Sequence, residues 1–224
     1  GLLDRLVEVL VEEEVRERSS SVSILDYQIS QTQRAEVAEG RTKVSLETNA
    51  ASPASGSMPV RFFIDNSMGP DQSIKLAIQG SVGGGIHRAT RTVEVKAGER
   101  RSVTLPVPAE FYYGEASATG PGISKSLSAN VYFQRVYDLQ RAVLALSVPD
   151  DVVKFMGKPP SYSEANVQIV AVPPSEAPTE LAGYLGFDLV IVPTEETLSK
   201  LDAPARQALE SYLVSGGSVL IKGP

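Results

Sequence analysis

The chain has 224 residues, of which 42% are hydrophobic and 21% charged, with a net charge of −6, one histidine and no cysteine. This length can bury two modest cores, and the composition excludes a wholly disordered chain. The acidic balance argues against nucleic acid as a partner, and the lack of cysteine excludes disulfides, thiolate zinc sites and a cysteine nucleophile within these residues. No apolar run approaches the roughly 18 to 20 residues of a membrane span.

Residues 1–20 predict an N-terminal helical or linker segment. Leu2, Leu3, Leu6 and Leu10 follow nearly helical spacing, and the second half of the segment is rich in charge. We expect its apolar face to pack on the body of the protein or on a partner subunit. The cationic start and the small-residue cleavage site of a signal peptide are both lacking, so we expect any targeting sequence to lie upstream.

Residues 21–138 predict an antiparallel β-sandwich of the immunoglobulin-like type. Apolar and polar residues alternate in seven short segments separated by turn residues, with no helical period between them. The segments are VSILDYQIS, TKVSLET, VRFFIDN, SIKLAIQG, TRTVEVK, RSVTLPV and SLSANVYFQ.

The stretch TVEVKAGERRSVTLPVP predicts a β-hairpin. Its alternation assigns one set of side chains to the core and the other to solvent. The core set is Val93, Val95, Val103, Leu105 and Val107, and the solvent set is Thr92, Glu94, Ser102 and Thr104.

The single histidine, His87, follows a glycine-rich turn in GSVGGGIHRAT. This turn lacks the Lys-Ser/Thr pair of a phosphate-binding loop and is followed by strands rather than a helix. We interpret His87 as an exposed hairpin residue, with a general-base or metal-binding role as the alternative.

Four arginines, Arg88, Arg91, Arg100 and Arg101, fall in neighbouring strand segments. Their simplest role is a solvated edge that blocks pairing between sheets. The alternative is a patch that binds an anionic ligand.

Residues 139–224 predict a partial α/β domain with a parallel sheet. The runs RAVLALSV, VQIVAV, FDLVIVP and SVLIK are continuously apolar, as strands covered on both faces are, and helical stretches separate some of them. The clearest helix is DAPARQALESYLVSGG, which Asp202 caps and Gly216 ends. Pro204 suits its first turn, and Leu209, Tyr212 and Leu213 form its buried stripe.

The last strand, SVLIK, should point Val219 and Ile221 to one side and Leu220 to the other. Leu220 or its neighbours should contact Leu209 and Leu213 of the preceding helix. An apolar strand at an uncovered sheet edge favours self-association, for example as a two-fold homodimer, or packing against the N-terminal helix.

Residues 141–224, and above all the stretch from LAGYLGFDLVIVP to SGGSVLIKGP, resemble the front half of the class I glutamine amidotransferase-like (flavodoxin-like) domain. The resemblance implies that Gly223 matches the glycine that contributes to the oxyanion hole in catalytic members. In that family the nucleophilic cysteine and its His/Glu pair come later in the chain, beyond residue 224. A β-sandwich followed by such a domain also resembles uncharacterised, membrane-anchored bacterial envelope proteins.

These observations predict a non-catalytic interaction or sensing module on the extracytoplasmic side of a bacterial membrane, attached through segments outside this chain. They predict no catalytic residue, no cofactor and no metal, and a protein partner or self-association rather than nucleic acid. One alternative is a fragment of an amidotransferase-like hydrolase with its catalytic residues downstream. The other is a carbohydrate-binding or adhesive β-sandwich, which would need a row of surface aromatics. Tyr112 and Tyr113 are the densest candidates for that row, although packing at the start of a strand also explains them.

Overall fold

The computed structural model describes residues 27–30, 33–52, 57–111, 113–135, 141–157 and 167–221. In these ranges the chain is mostly β, with two antiparallel sheets and one parallel sheet. The predicted segment at 1–20, Tyr112 and Gly223 lie outside the described residues.

The described residues form fifteen strands and three α-helices. The strands are β1 (Tyr27–Ser30), β2 (Arg34–Gly40), β3 (Lys43–Glu47), β4 (Asn49–Ser52), β5 (Ser57–Asp65), β6 (Gln72–Val82), β7 (Gly85–Val95), β8 (Arg100–Pro108), β9 (Tyr113–Thr119), β10 (Ile123–Ser126), β11 (Ala129–Arg135), β12 (Arg141–Ala145), β13 (Val167–Ala171), β14 (Leu189–Val192) and β15 (Val219–Ile221). The helices are α1 (Pro149–Met156), α2 (Glu195–Lys200) and α3 (Ala203–Val214).

The first two sheets contain the strands from β2 to β11. Sheet B has the order β10-β2-β3-β5-β8, and sheet C has the order β4-β11-β9-β6-β7. All pairs are antiparallel except β4 with β11, which is parallel. One hydrophobic core joins the two sheets, and it includes Val44, Phe62, Ile78, Ala116 and Val131.

The predicted hairpin around residues 96–99 is wrong in its pairing, although its core residues are confirmed. Val93, Val95, Val103, Leu105 and Val107 are all buried. However, β7 pairs with β6 and β8 pairs with β5, so the turn carries the chain from sheet C to sheet B. The two valine-rich strands therefore face each other across the core instead of lying side by side.

One residue predicted to face solvent, Thr104, is buried. It lies beneath Gly183, where an added Cβ would come within 3.1 Å of the Thr104 hydroxyl oxygen. The segment that follows β13 covers this position, which a period of two along β8 cannot reveal.

The parallel sheet, sheet A, has the order β1-β13-β12-β14-β15. Helix α1 covers one face, where Val152 packs on Val143 and Ile191. Helix α3 covers the other face, where Leu209 and Tyr212 pack with Leu144, Val190 and their neighbours. Both faces are thus apolar, and this explains the continuous apolar runs of the sequence.

Strand β1 corrects one expectation about the first half of the chain. Its sequence, YQIS, lies in a segment that the alternating pattern assigns to the antiparallel sandwich, but Tyr27–Ser30 pair in parallel with β13. Tyr27 is buried in the core of the parallel sheet, and its hydroxyl donates a hydrogen bond to the Gly157 carbonyl after α1. A short strand with one apolar face fits either sheet, so tertiary contacts decide its place.

Helix α3 follows the prediction closely. The Asp202 carboxylate accepts a hydrogen bond from the Ala205 amide at 2.8 Å and caps the helix. Gly216 adopts a φ of +92° just beyond the last turn, a conformation that costs glycine little. Leu209 and Tyr212 are buried, as predicted, whereas Leu213 is only half-buried.

Candidate functional site

The outer face of sheet B is partly covered by the segment that follows β13. Register places Arg34 opposite Glu47, and Arg61 opposite Thr104. Arg34 forms an ion pair with the Glu176 carboxylate, and Arg61 donates a hydrogen bond to the Glu176 backbone carbonyl. This face is therefore where the antiparallel sheets meet the connections of the parallel sheet.

Two opposite charges are buried at this junction. The side chains of Arg61 and Glu47 are only 5% and 9% exposed, and Arg61 Nη1 lies 3.2 Å from Glu47 Oε1. Burial raises the pKa of the Glu47 carboxyl, while the charges of Arg61 and Arg34 partly oppose that rise. Within the described residues, Arg61 Nε and Nη1 have no well-aligned hydrogen-bond acceptor, so Nη1 meets Glu47 by charge attraction alone. Separating such a pair leaves an uncompensated buried charge, which fixes the junction.

A groove of about 640 Å³ runs beside this pair on the outer face of sheet B. One row of its lining crosses four strands, because Glu36 lies opposite Ser45, and Ser45 and Ser102 lie opposite Phe63. The wall comes from Ser175 and Glu176 of the segment after β13. The complete lining is Glu36, Lys43, Val44, Ser45, Phe63, Ile64, Asp65, Arg100, Arg101, Ser102, Ser175 and Glu176.

Phe63 is the aromatic surface of this groove. The guanidinium carbon of Arg34 lies 3.7 Å from the centre of the Phe63 ring, and that of Arg61 lies 5.0 Å from it. Stacking of two cations on the ring holds it in place and leaves it half-buried.

Charges of both signs surround the ring. The acidic members are Glu36, Asp65 and Glu176, and the basic members are Lys43, Arg100 and Arg101. Arg100 Nε lies 3.0 Å from Asp65 Oδ2, and hydrogen bonds from Ser67 together with this ion pair lower the pKa of the Asp65 carboxyl. Such a groove can hold a chain that carries both charges and an apolar side chain.

The structure distributes the four predicted arginines over three places. Arg100 and Arg101 both line the groove, and Arg101 Nη1 lies 3.5 Å from Glu99 Oε1. Arg91 instead bonds the Glu180 carboxylate and the Thr104 carbonyl. Arg88 is exposed on the outer face of sheet C, opposite Gln79. An anion-binding role for these arginines stays a prediction.

The carboxyl ends of β12 and β14 define a second place of interest. All four of these strands are parallel, but β13 lies on one side of β12, whereas β14 and β15 lie on the other. The order in which the chain adds strands therefore switches sides between β12 and β14, and ligands of open α/β sheets bind at such points. Ser147, which is buried, and Thr194, which caps α2 through the Thr197 amide at 3.2 Å, follow these strands. Gly223, the residue that the resemblance matches to an oxyanion glycine, falls outside the described residues.

Sequence reasoning missed Glu47, Arg61 and Phe63. The signal was available in VRFFIDN, where alternation directs Arg61, Phe63 and Asp65 away from the core. An outward phenylalanine between two charged residues indicates that something covers that face. The covering segment lies more than a hundred residues away in the chain, so the pattern could not identify it.

The described ranges contain neither a metal-binding cluster nor a helix that could span a membrane. No group of three or more His, Asp or Glu residues lies close enough there to hold a metal ion. None of the helices described is both long enough and apolar enough to cross a membrane.

Comparison with known proteins leaves the family open. No protein-family model and no curated protein matches the chain. Among solved structures, a β-glucosidase from Erythrobacter marinus aligns at 13% identity and a TM-score of 0.29, covering 46% of this chain and 16% of its own. A β-glucosidase from Listeria innocua aligns at 14% identity and a TM-score of 0.27, covering 51% and 19%. The C-terminal domain of wzt aligns at 10% identity and a TM-score of 0.26, and the alignment covers 46% of this chain and 80% of that domain. Likenesses this weak carry no argument about fold or function, and the chain spans less than a fifth of the length of these two glucosidases.

Proposed function

We propose that this chain is a non-catalytic interaction or sensing module whose groove on sheet B binds a segment of a protein partner. The observation that carries the proposal is the groove itself, with Phe63 between acidic and basic side chains. A peptide with both charges and one apolar side chain complements this lining, since each groove charge meets its opposite and the ring meets the apolar group. A ligand whose charges all have the same sign would be repelled by half of the charged side chains that line the groove.

The buried junction supports a binding role for this groove. Glu176 belongs to the groove wall and also contacts Arg34 and Arg61. A partner that displaced the wall would therefore disturb the buried ion pair. In this way binding on sheet B can change how the parallel sheet is held, which is what a sensing module requires.

At the finer level, we propose an immunoglobulin-like sandwich followed by a partial flavodoxin-like domain. Sheets B and C with their shared core support the first part. The order β13-β12-β14-β15 supports the second, because flavodoxin-like sheets order their strands as second, first, third and fourth. The same order favours a second candidate function, a fragment of an amidotransferase-like hydrolase. The extracytoplasmic, membrane-anchored location is proposed on the resemblance alone.

Site-directed photocrosslinking tests the proposed function. A photoreactive residue replaces Ser102 or Ser45 in the groove of the full-length protein, expressed in the bacterium that encodes it. Thr92, exposed on sheet C, is the control position. We expect the same partner protein to be captured from both groove positions and not from Thr92. Equal capture from all three positions would contradict the proposal, and capture of a second copy alone would replace the partner with self-association.

A further inference from the structure

A second surface lies on the opposite side of the antiparallel sheets, on the outer face of sheet C. Four side chains from neighbouring strands form a row there, which we call the polar row: Arg88, Gln79, Glu115 and Asn130. All four are exposed. Adjacent strands lie about 4.8 Å apart, so the polar row spans roughly 14 Å.

Next to the polar row stands a more apolar row. Ile86 on β7 lies opposite Ser81 on β6. On the other side of Ser81, the antiparallel register of β6 with β9 places Tyr113. Tyr113 is 55% exposed and Ile86 is 76% exposed, both high values for large apolar side chains in a sheet. Two residues along a strand separate the rows, which is about 7 Å.

The side chains of the polar row are free to bind a ligand. Within the part of the chain that the structure describes, none of the four makes a side-chain hydrogen bond or an ion pair. The backbone below them is held firmly, because Gly80 leaves only enough room for the buried Phe111 ring and an added Cβ would come within 2.8 Å of it. Binding therefore has to order the four side chains but not the strands beneath them.

We propose that this face binds a neutral oligosaccharide chain. Arginine donates hydrogen bonds, glutamate accepts them, and glutamine and asparagine do both, which matches hydroxyl groups that donate and accept. This face has one exposed aromatic ring among the described residues, Tyr113, rather than a row of them. That ring offers a flat apolar surface for the C–H face of one sugar unit, and the polar row would hold the neighbouring units through their hydroxyl groups. Arg88 and Glu115 cancel in charge, so the row as a whole favours a ligand that carries no net charge.

Other occupants fit this face less well. An anionic chain would meet Glu115 in the middle of the row. A protein partner usually needs a larger apolar centre than one tyrosine and one isoleucine provide. The groove on sheet B lies on the far side of the shared core, so this proposal does not depend on the function proposed for that groove.

Affinity electrophoresis of the full chain tests the proposal. Native gels contain one of three neutral polysaccharides, a mixed-linkage β-glucan, a xylan or a galactomannan, or the anionic polysaccharide polygalacturonate. We expect at least one neutral polysaccharide to retard the protein. Tyr113→Ala should weaken that retardation about tenfold, the usual effect of removing a central aromatic contact, while Tyr113→Phe keeps most of it.

Two matched variants complete the experiment. Gln79→Ala should weaken binding several-fold through the polar row, whereas Glu94→Ala, on the same outer face but opposite Ser73, should leave it unchanged. Both positions are exposed, and thermal melts will show that all variants fold. Failure of every neutral polysaccharide, retardation by polygalacturonate alone, or binding that Tyr113→Ala does not change would overturn the proposal.

Discussion

Arg91 on β7 holds Glu180 with both ends of its guanidinium, Nη1 at 2.5 Å from Oε2 and Nη2 at 2.7 Å from Oε1. The same Nη1 donates to the Thr104 carbonyl of β8 at 2.9 Å. One side chain therefore joins sheet C, sheet B and the connection between β13 and β14. A planar fork is needed for this, and lysine cannot reproduce it.

Arg91→Lys should lower the free energy of unfolding by about 1 kcal/mol, because a charge-assisted fork is lost at a partly exposed site. Chemical denaturation followed by circular dichroism measures the change. Arg88→Lys, at an exposed position on the same strand, is the control and should have no effect beyond about 0.5 kcal/mol. Equal effects of the two changes would mean that the Arg91 fork contributes nothing.

The buried Glu47 carboxyl gives stability a specific dependence on pH. Burial raises its folded-state pKa above the unfolded value of about 4.3, so the folded protein binds this proton more tightly. Its contribution is fully present below that unfolded value and is lost as the pH rises through the folded-state pKa. Glu47→Gln cannot ionise, so the stability of the wild type relative to this variant should fall as the pH rises from about 4 through the folded-state pKa. Denaturant melts at several pH values measure it, and a difference that rises with pH would contradict the raised pKa.

Gly217→Ala should destabilise the protein by about 1–3 kcal/mol, as overpacking of a filled space does. An added Cβ there would come within 2.3 Å of the Tyr212 ring. That ring cannot move easily, because its hydroxyl donates to the Phe187 carbonyl at 3.0 Å. Gly85→Ala is the matched control, since its nearest contact would be an ordinary 3.5 Å. Thermal melts of both variants decide the comparison.

Tyr184 should make the protein sensitive to alkaline pH. Its side chain is fully buried, its hydroxyl donates to the Pro178 carbonyl at 3.1 Å, and burial raises its pKa. The unfolded chain releases this proton near pH 10 and the folded protein does not, so stability should fall as the pH rises above about 10. Tyr184→Phe should remove that part of the fall and cost about 1 kcal/mol at neutral pH. An unchanged alkaline slope in Tyr184→Phe would refute the assignment.

The edge strand β15 turns one of its three apolar side chains, Leu220, away from the core beneath α3. Val219 and Ile221 pack against the core cluster that includes Leu209 of α3. Leu220 points to the other face of the sheet and is 36% exposed. Leu220→Asp should therefore cost only about 1 kcal/mol in a monomer, and Ile221→Asp clearly more, as a charge placed nearer the core does. If the edge pairs with a second copy, sedimentation will show a dimer, and Leu220→Asp should dissociate it. A dimer that tolerates both changes would place its interface elsewhere.

Local patterns in the sequence predicted many of the strands and one helix. Six of the seven alternating segments became strands of sheets B and C, and the continuous apolar runs became strands of sheet A. Asp202 and Gly216 mark the two ends of helix α3, as the sequence predicts. These features depend on neighbours within a few residues, so a pattern of period two or 3.6 contains them.

Partners distant in the chain required the tertiary structure. The valines before and after the turn at 96–99 would be buried in a hairpin and in a crossing between two sheets alike. Only the pairing of β7 with β6 and of β8 with β5 shows that the chain crosses between the sheets. Likewise, YQIS fits either core until its pairing with β13 is known.

By itself, the sequence determined most of the apolar side chains that form the cores and both ends of helix α3, because hydrophobicity and capping are local properties of side chains. Only the tertiary structure decided that Arg61 and Glu47 are buried together, that Phe63 lines a groove, and that Tyr113 stands beside the polar row. Each of those arrangements brings together strands or loops far apart in the chain, and their contact energies depend on geometry that no short window of sequence contains.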